Sequence, residues 1–347
     1  MAASEPPSAQ PSEPPREAPR RDSVASFRVP TSSLTGAILD GRYKVHGCVE
    51  RSAISRTLLA EDLRTHGAVW LRVLTRAGHA DHARVASIRE RLASLERVQH
   101  PNLLEVLGGG VTAGDSPYLV TEAVEGEALE QVLLRQERLS PDICLVLARQ
   151  AAGALAALHA AGVIHGRLDP SRIVLLGSPN EPYGLKVTDY GTSRLFEPPG
   201  SDADSIPLDY RAPEQLTDGT ARTQSDVYAL GVLLFRLLTF QLPFCGAGPT
   251  GSTAESWSRL YSPLPAPAGL ESRIDPRIEA VILNATRKRP ENRYPSVADL
   301  VMDLDALVGL STHDVTIRSL RVSPDLFEPE TQAGTEALRR AQLNRGT

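Results

Sequence analysis

Short apolar runs separated by polar turns dominate the first part of the chain that has a regular pattern. Between residues 42 and 74 these runs fall at Val45, Leu58–Leu59 and Val69–Leu74. Runs of this length between polar turns predict β-strands. Two further strands are predicted at Leu103–Leu107 and Tyr118–Thr121. This part of the chain is therefore expected to form a small sheet.

A different spacing interrupts these strands between residues 83 and 98. The apolar positions recur every three or four residues, at Val85, Ile88, Leu92, Leu95 and Val98. Such spacing places them along one face of an α-helix, so one amphipathic helix is predicted between the strands.

After residue 126 the pattern becomes mainly helical. The sequence Ser140-Pro141-Asp142 predicts a helix start, because serine caps, proline suits the first turn and the acid complements the helix dipole. Gly162 can end this helix. A second helix is predicted over Ser225–Thr239, and two more flank Pro290.

The chain divides into a tail, a folded region of two lobes and a second tail. Residues 1–33 begin with a proline-rich stretch that cannot form a core, so this tail is expected to be disordered. Its Pro-Pro pairs fit an SH3-like or WW-like partner, but a solvated tail is favoured. Residues 34–310 are expected to form an α+β domain, with a strand-rich lobe at about 38–122 and a helical lobe at about 126–310. Residues 311–347 are expected to be loosely structured.

Composition changes this picture at two points. The formal net charge is −5, so no excess of basic residues suggests a nucleic-acid partner. Of the 37 basic residues only Lys44, Lys186 and Lys288 are lysines, and the others are arginines. Any chemistry that needs an amine therefore has very few candidates.

Cysteine usage and hydropathy favour a cytoplasmic protein. The widely spaced Cys48, Cys144 and Cys245 fit neither a disulfide framework nor a metal knuckle. The longest nearly apolar stretch, residues 151–164, contains His159 and is too short to span a bilayer. The N-terminus lacks the pattern of a secretory signal. We therefore expect a cytoplasmic location without a membrane segment.

A series of short motifs runs through both lobes. In chain order they are Gly41-Arg42-Tyr43, Ala60-Glu61-Asp62, His100-Pro101-Asn102, Tyr118-Leu119-Val120-Thr121-Glu122, Ile164-His165, Asp189-Tyr190-Gly191, Ala212-Pro213-Glu214, Ser225-Asp226-Val227-Tyr228 and Arg289-Pro290-Glu291-Asn292-Arg293-Tyr294. In this order and spacing the motifs resemble those of a bacterial Ser/Thr protein kinase domain over roughly residues 38–310. The resemblance implies a bilobal protein-kinase-like fold, with a small strand-rich N-lobe and a larger helical C-lobe.

The resemblance places the glycine-rich, phosphate-binding loop on residues that are not glycines. Counted back from Ala60-Glu61-Asp62, the three glycine positions fall on Glu50, Ser52 and Ser55. Glycine is needed there so that the backbone can approach the phosphates. Glu50 instead adds a negative charge beside them.

Arginines stand at both positions of the family's lysine–glutamate ion pair. Arg72 occupies the lysine position, and Arg91 occupies the helix glutamate, with Glu90 one residue earlier. Arginine is bulky and forked, so it does not replace lysine conservatively at a phosphate site. Glu90 lies about 100° around the helix from Arg91 and is expected to point elsewhere. For Arg91, a solvated position and a role in the cleft stay equally open.

The catalytic loop resembles the family's loop in length but not in chemistry. Arg167 stands at the aspartate that accepts the hydroxyl proton, Asp169 at the lysine, and Arg172 at the metal-binding asparagine. A guanidinium cannot act as a base, because its pKa exceeds about 12. A shifted frame would bring Asp169 near the base position, but it would move Pro170 out of register.

One metal-binding position of the family survives. Asp189 matches the metal-binding aspartate, while its asparagine partner is Arg172. A carboxylate in a cleft needs a cation, and arginine offers one in bidentate form. We therefore expect the guanidinium of Arg172 or Arg72 to pair with Asp189 where magnesium would lie. Glu122 and Val124 occupy the hinge positions that would contact a nucleotide.

The residues that hold the family's scaffold are present. Glu214 and Arg293 match a buried ion pair, Asp226 matches the aspartate that braces the catalytic loop, and His165 keeps a ring in the core. Loss of one partner of a buried pair costs on the order of 3–5 kcal/mol. The scaffold is thus retained while the residues that serve only chemistry are replaced.

This contrast favours a pseudokinase, a scaffold or allosteric regulator in bacterial signalling that binds other kinases or signalling proteins and needs no cofactor. The alternative is an unorthodox Ser/Thr protein kinase that binds ATP and magnesium through Asp189 and uses Asp169 as a displaced base. In a third interpretation Arg72, Arg167 and Arg172 line the cleft unpaired and bind an anionic ligand or phosphopeptide. Pairing of these arginines with neighbouring acids is favoured over it.

Overall fold

The folded region of the chain is described by a computed structural model. The described residues are 35–51, 55–74, 82–112, 116–135, 139–176, 184–191, 208–244, 260, 262, 264–270 and 274–311. The predicted tail over residues 1–33, the glycine-loop position Ser52 and nearly all of the second tail lie outside them.

An antiparallel sheet of six strands forms the N-lobe. Its strands are β1 (Ile38–Leu39), β2 (Tyr43–Arg51), β3 (Ser55–Asp62), β4 (Gly67–Leu74), β5 (Val106–Val111) and β6 (Pro117–Glu122). Their order across the sheet is β1-β2-β3-β4-β6-β5. The strands predicted within residues 42–74 and at Tyr118–Thr121 are therefore confirmed.

One face of this sheet packs into the N-lobe core, and the other faces the cleft. Leu58, Leu71 and Val120 lie opposite one another on β3, β4 and β6 and are fully buried in the N-lobe core. Successive side chains on a strand alternate between faces, so Arg72 lies on the other face from Leu71. That second face forms the roof of the cleft between the lobes.

Helix α1 (His82–Leu95) packs closely against β5. A Cβ atom on Gly109 of β5 would lie 2.5 Å from Cδ1 of Leu92, a contact that real Cβ atoms do not make. Glycine at position 109 therefore lets the helix approach the sheet. This close packing sets the distance between α1 and β5.

Two predicted boundaries in this region are wrong. The helix predicted over residues 83–98 ends at Leu95, and Val98 stays buried in a turn whose amide donates to the Leu95 carbonyl at 3.0 Å. The strand predicted at Leu103–Leu107 begins at Val106 instead, because Leu103 bridges to Val187 of the other lobe. Burial of an apolar side chain does not require it to belong to a regular element.

The C-lobe is built mainly from helices. They are α2 (Leu129–Leu134), α3 (Pro141–Ala160), α4 (Pro213–Thr217), α5 (Thr223–Thr239), α6 (Pro267–Leu270), α7 (Pro276–Ala285) and α8 (Val297–Ser311), with 3₁₀ turns at Pro170–Arg172, Leu208–Tyr210 and Pro290–Asn292. The predicted cap of α3 is confirmed, since the Ser140 hydroxyl accepts from the Ile143 amide at 3.3 Å. Gly162 follows the helix with a positive φ of 72°.

Helix α5 is the centre of the C-lobe. It starts two residues before the predicted Ser225, and it is buried almost all round, including Tyr228 and Phe235. Helices α3, α7 and α8 pack around it. In the part of the chain that the structure describes, α3 is the one helix long and apolar enough to cross a membrane, but its buried side chains belong to this core.

A small sheet of three strands lies in the C-lobe below the cleft. Its strands are β7 (Glu127–Ala128), β8 (Ile173–Leu176) and β9 (Gly184–Val187), in the order β7-β8-β9. The predicted catalytic loop enters β8 through the 3₁₀ turn, and β9 leads directly to Asp189. The α+β bilobal fold is thus confirmed, with the candidate site between the two sheets.

Candidate functional site

A cleft between the lobes has a cavity of about 480 Å³. Its roof is formed by Glu50, Thr57, Trp70, Arg72, Leu119 and Thr121 of the N-lobe sheet, and its floor and rear wall include Ser171, Arg172, Val174, Thr188, Asp189 and Tyr190. Five of the predicted site positions thus line one cavity: Glu50, Arg72, Val124, Arg172 and Asp189.

Arg72 is paired with Asp189 across the cleft. Its Nη1 atom donates to Oδ1 of Asp189 at 2.5 Å, and both side chains are 31% exposed. A longer contact of 3.5 Å joins Nε of Arg72 to the Ser55 hydroxyl. Of the two arginines expected to pair with Asp189, the structure therefore selects Arg72.

The turn after β9 holds Asp189 in position. Asp189 has a positive φ of 58°, a conformation that aspartate tolerates better than most residues. The following Tyr190 is buried, and its hydroxyl donates to the Leu104 carbonyl at 2.6 Å. Burial raises the pKa of Tyr190, so this phenol stays a neutral donor. The Asp189 carboxylate is thereby held toward the roof.

Arg91 is half-buried and contacts the turn that follows Asp189, although it does not line the cavity. From α1 its Nε atom donates to the Gly191 carbonyl at 3.3 Å. A Cβ on Gly191 would come within 3.0 Å of Nη2 of Arg91, so this glycine makes room for the guanidinium. Glu90 is exposed, as its angular position on the helix predicts.

Arg172 and Asp169 form a second ion pair beside the first. Nη1 of Arg172 donates to Oδ2 of Asp169, which is only 1% exposed. The other oxygen of Asp169 accepts from the Ser171 amide at 2.8 Å and the Ser171 hydroxyl at 2.5 Å. Asp169 thus caps the 3₁₀ turn, and both of its carboxylate oxygens accept hydrogen bonds from the loop. The buried Nε of Arg172 has no hydrogen-bond partner within the described residues.

Of the remaining predicted site positions, Glu50, Ser55 and Arg167 lie within the described residues, whereas Ser52 does not. Glu50 is exposed near the end of β2, and Ser55 is buried at the start of β3. Arg167 is half-buried in the catalytic loop and does not line the cavity. The interpretation with three unpaired arginines in the cleft is therefore wrong for Arg72 and Arg172, which are both paired with acids.

The side chains of the two predicted hinge residues lie differently with respect to the cavity. Val124 lines the cavity, but Glu122 faces away from it, because its neighbour Thr121 takes the cleft side of β6. The Glu122 carboxylate accepts from Nζ of Lys186 at 2.5 Å and from the Glu105 amide at 2.8 Å. The Glu122 side chain thus pairs across the lobes, and the prediction of Glu122 as a hinge contact to a nucleotide stays a prediction.

The predicted scaffold pair is present in bidentate form. Nη1 and Nη2 of Arg293 donate to the two carboxylate oxygens of Glu214, each at 2.8 Å. The Ser225 hydroxyl donates to the same carboxylate at 2.6 Å. Burial favours the neutral acid, but the hydrogen bonds from Arg293 outweigh it and hold the pKa of Glu214 below its ordinary value. The pair ties α4 to the loop before α8.

Asp226 braces the catalytic loop as predicted. Its carboxylate accepts from the amides of His165 and Gly166 at 2.9 and 2.7 Å. His159 of α3 adds an Nε2 contact of 2.7 Å, which the sequence did not reveal. Burial lowers the pKa of His165. Its neutral ring fits this position, with Nε2 3.1 Å from the Thr188 carbonyl and Nδ1 3.3 Å from the Arg167 amide.

The donor set of the cleft does not fit magnesium. Mg²⁺ takes oxygen ligands in near-octahedral geometry, and the family supplies them from an asparagine and an aspartate. Here Arg172 replaces the asparagine, and Asp189 is bound to the Arg72 guanidinium. Within the described residues, no group of three or more His, Cys, Asp or Glu side chains could hold a metal ion.

Sequence reasoning missed two residues that shape the cleft. In the family's strand pattern Val-Ala-Ile-Lys, the residue two before the lysine is alanine. Trp70 stands there and lines the cavity. Thr121 lies opposite it on β6. The sequence signal that could have identified Trp70 is its position two residues before Arg72.

Comparison with known proteins identifies the class to which this fold and site belong. The family model described as "Protein kinase domain" matches residues 55–301, which is more than half of the chain. The chain therefore belongs to the protein kinase domain family, and its homologues include bacterial serine/threonine-protein kinases.

Serine/threonine-protein kinase PknL of Mycobacterium tuberculosis is 28% identical over 277 residues, which cover 79% of this chain and 67% of PknL. Serine/threonine-protein kinase pkn3 of Myxococcus xanthus is 29% identical over 287 residues, covering 80% of this chain and 52% of pkn3. The chain thus spans about half the length of pkn3. The crystal structure of the Mycobacterium tuberculosis PknI kinase domain matches with a TM-score of 0.60 at 22% identity, covering 79% of this chain and 99% of that domain.

Proposed function

We propose that this protein kinase domain is a pseudokinase, which acts through binding rather than phosphoryl transfer. The observation that carries the proposal is the ion pair of 2.5 Å between Arg72 and Asp189. In the family, the lysine at the first position contacts phosphates and the aspartate at the second holds magnesium. Here the two side chains neutralise each other, so neither function is served.

The second ion pair supports the same proposal. Arg172 adds a cation where the family has a metal-binding asparagine, and like charges repel a divalent ion. Its partner Asp169 is buried, caps the 3₁₀ turn and accepts two hydrogen bonds from Ser171. A general base needs an oxygen that the substrate proton can reach, whereas Asp169 is buried and both of its oxygens accept hydrogen bonds from the loop. Arg167 cannot take that role, because a guanidinium stays protonated.

The retained scaffold residues would give such a domain a stable surface for binding partners. The Glu214–Arg293 pair and the Asp226 brace support the surfaces around the catalytic loop without any chemistry. A folded surface of this kind suits a scaffold or an allosteric regulator. We propose other kinases or signalling proteins of the bacterial cytoplasm as its partners, and neither ATP nor magnesium as a requirement.

The competing function is an unorthodox Ser/Thr protein kinase, which the intact Asp189 favours. It requires Asp189 to leave Arg72 and bind magnesium, and it requires another base than the buried Asp169. Removal of several transition-state interactions lowers the rate by orders of magnitude, although the losses do not add.

A calorimetric titration of the purified chain with ATP, with and without MgCl₂, distinguishes the two functions. The proposal predicts that adding MgCl₂ produces no additional heat of ATP binding. Binding at micromolar concentration that requires magnesium would contradict it. The matched control is Asp189→Ala, which abolishes such binding in a true kinase and changes nothing in a pseudokinase.

A further inference from the structure

A second cavity, of about 360 Å³, lies beside the chain segment that leads into β5. Leu103 and Glu105 of this segment line the second cavity, whereas Leu104 and Val106 line the interlobe cavity. Alternate residues of one segment thus face two separate spaces. We call the second cavity the rear pocket, and its lining also includes Val98, Gln99, Pro101 and Lys186.

Glu105 gives the rear pocket an unpaired negative charge. Nζ of Lys186 is bound to the Glu122 carboxylate at 2.5 Å and to the Leu103 carbonyl at 3.1 Å. The half-buried Glu105 carboxylate makes no hydrogen bond or ion pair within the described residues. Lys186 therefore neutralises one of the two carboxylates, and the pocket has room for a second cation.

The walls of the rear pocket add an apolar surface to this charge. Val98 and Leu103 form part of the core and also line the pocket, and the exposed Pro101 lies between them in the chain. An arginine side chain matches this combination, because its apolar stem packs on such a surface while its guanidinium binds a carboxylate in bidentate form. The pocket therefore suits an arginine with apolar neighbours.

The second tail of the chain contains a segment with this chemistry. Residues 315–322 read Val-Thr-Ile-Arg-Ser-Leu-Arg-Val, with two arginines, four apolar residues and no acid. Side chains of an extended chain alternate between its two faces. Either face of this segment would present two apolar side chains and one arginine. The segment is thus complementary to the rear pocket in both charge and polarity.

Helix α8 brings the chain close to the rear pocket. Oδ1 of Asp305 on α8 accepts from Nε of Arg149 on α3 at 2.6 Å. The next residue of α3, Gln150, accepts from Nδ2 of Asn102 at 2.9 Å, and Asn102 lies between Pro101 and Leu103 of the pocket wall. Helices α8 and α3 and the pocket wall are therefore neighbours.

The length of the tail is sufficient for this contact. Arg321 follows Ser311, the last residue of α8, by ten residues, which span up to about 33 Å when extended. The 20 residues of α3 span about 30 Å. The segment can therefore reach the pocket whichever way along α3 the chain leaves α8.

We propose that the rear pocket is the docking site of the chain's own segment 315–322. One arginine of the segment, Arg318 or Arg321, pairs with Glu105, and its apolar neighbours pack on Val98 and Leu103. Because a short tether raises the effective concentration to the order of millimolar, this docking needs only a modest affinity. The docked segment contacts both the N-lobe loop and Lys186 of the C-lobe, so it braces the two lobes from behind. None of these residues belongs to the interlobe cleft, so the proposal is independent of the pseudokinase function.

Hydrogen exchange of the full chain, followed by mass spectrometry, tests the docking. We expect the amides of residues 315–322 to exchange about tenfold or more slowly than those of an unstructured peptide. Glu105→Gln should speed their exchange about three- to tenfold, because it removes a charge-assisted hydrogen bond. Glu96→Gln is the matched control, since Glu96 is an exposed acid near the pocket that does not line it, and it should change nothing.

Charge reversal tests the pairing itself. Glu105→Arg should abolish the slow exchange of residues 315–322, and adding Arg318→Glu and Arg321→Glu to Glu105→Arg should restore it. Melting temperatures of all variants separate a loss of docking from unfolding. The Glu105 side chain has no partner within the described residues, so we expect these variants to fold.

A disulfide identifies the occupant of the pocket. Gln99 is exposed and lines the rear pocket, so Gln99→Cys combined with Ser319→Cys should form a disulfide within one chain under mild oxidation. Gln99→Cys combined with Ser26→Cys is the control, because residues 27–29 of the first tail, Phe-Arg-Val, have similar chemistry. Peptide mass spectrometry at several protein concentrations distinguishes a disulfide within one chain from one between two chains.

Each outcome decides the proposal. Slow exchange of residues 315–322 that depends on Glu105, together with a disulfide within one chain between positions 99 and 319, supports it. Exchange at the rate of an unstructured peptide, or slow exchange that Glu105→Arg leaves unchanged, overturns it. A disulfide that forms only between two chains, or equally well from position 26, assigns the pocket to another occupant and also overturns it.

Discussion

The ion pair between Arg72 and Asp189 makes a quantitative prediction about the cohesion of the two lobes. Arg72→Met keeps the apolar stem and removes the guanidinium, and Asp189→Asn keeps the shape and removes the charge. The two single variants and the double variant form a cycle that isolates the energy of this pair from other contacts of each residue.

The expected magnitude follows from the geometry of the pair. The contact is 2.5 Å between N and O, and both side chains are 31% exposed. Two unit charges about 4 Å apart attract by about 4 kcal/mol at an effective dielectric constant near 20. Desolvation and side-chain ordering oppose this attraction, and exposed pairs retain only about 0.2–1 kcal/mol. For this partly buried pair we expect a coupling energy of about 1–2 kcal/mol.

Thermal or urea unfolding measures the coupling. A loss of 1 kcal/mol lowers the melting temperature by about 2–4 °C in a domain of this size. The coupling should decrease in 1 M salt, where the Debye length is only about 3 Å. The matched control is the exposed pair of Arg222 and Asp218, whose side chains are 52% and 45% exposed and whose coupling should be much smaller.

Two results would refute this reasoning. A coupling energy below about 0.3 kcal/mol would mean that the guanidinium does not hold the carboxylate in solution. A coupling as small as that of the control pair would leave Asp189 free for another cation, including magnesium.

Three further predictions concern the scaffold. Arg293→Met should lower the free energy of unfolding by about 3–5 kcal/mol, because it leaves the Glu214 carboxylate buried without its cation. Urea unfolding measures this loss, with Arg289→Met as the control, and a loss below about 1 kcal/mol would contradict the prediction. Burial lowers the pKa of His165, so the unfolded chain binds a proton there more readily than the folded chain, and stability should fall as the pH drops below about 6.5. His165→Phe should reduce this pH dependence in melting curves between pH 7.5 and 5.5. An unchanged dependence would count against a buried neutral ring. Gly109→Ala should destabilise the N-lobe by about 1–3 kcal/mol, because the added methyl meets Leu92, whereas Gly269→Ala on α6 meets open space and should be tolerated.

The sequence predicted most of the fold, because its strongest signals are local. Apolar runs between turns identified β2, β3, β4 and β6, and the cap at Ser140 identified the start of α3. The boundary errors arose where a tertiary contact decides the local structure. Leu103 bridges to Val187 of the C-lobe, and no pattern in the neighbouring residues shows this.

The site was less predictable, because its contacts join residues far apart in the chain. Arg72 and Arg172 were equal candidates for pairing with Asp189, and only the closure of the lobes decides between them. Lys186 lies outside the family's lysine position, which falls on Arg72, and nothing in the sequence shows that it pairs with Glu122 across the lobes. Strand alternation predicts that Glu122 and Thr121 face opposite sides, but it does not predict which one faces the cleft.

The central claim is that this protein kinase domain does not transfer phosphate, and one assay tests it directly. The purified chain is incubated with ATP labelled at the γ-phosphate and magnesium, alone and with a generic protein substrate, beside the Asp189→Ala variant. We predict no label on either protein above the background of Asp189→Ala. Label that appears with the unaltered chain and disappears with Asp189→Ala would contradict the claim.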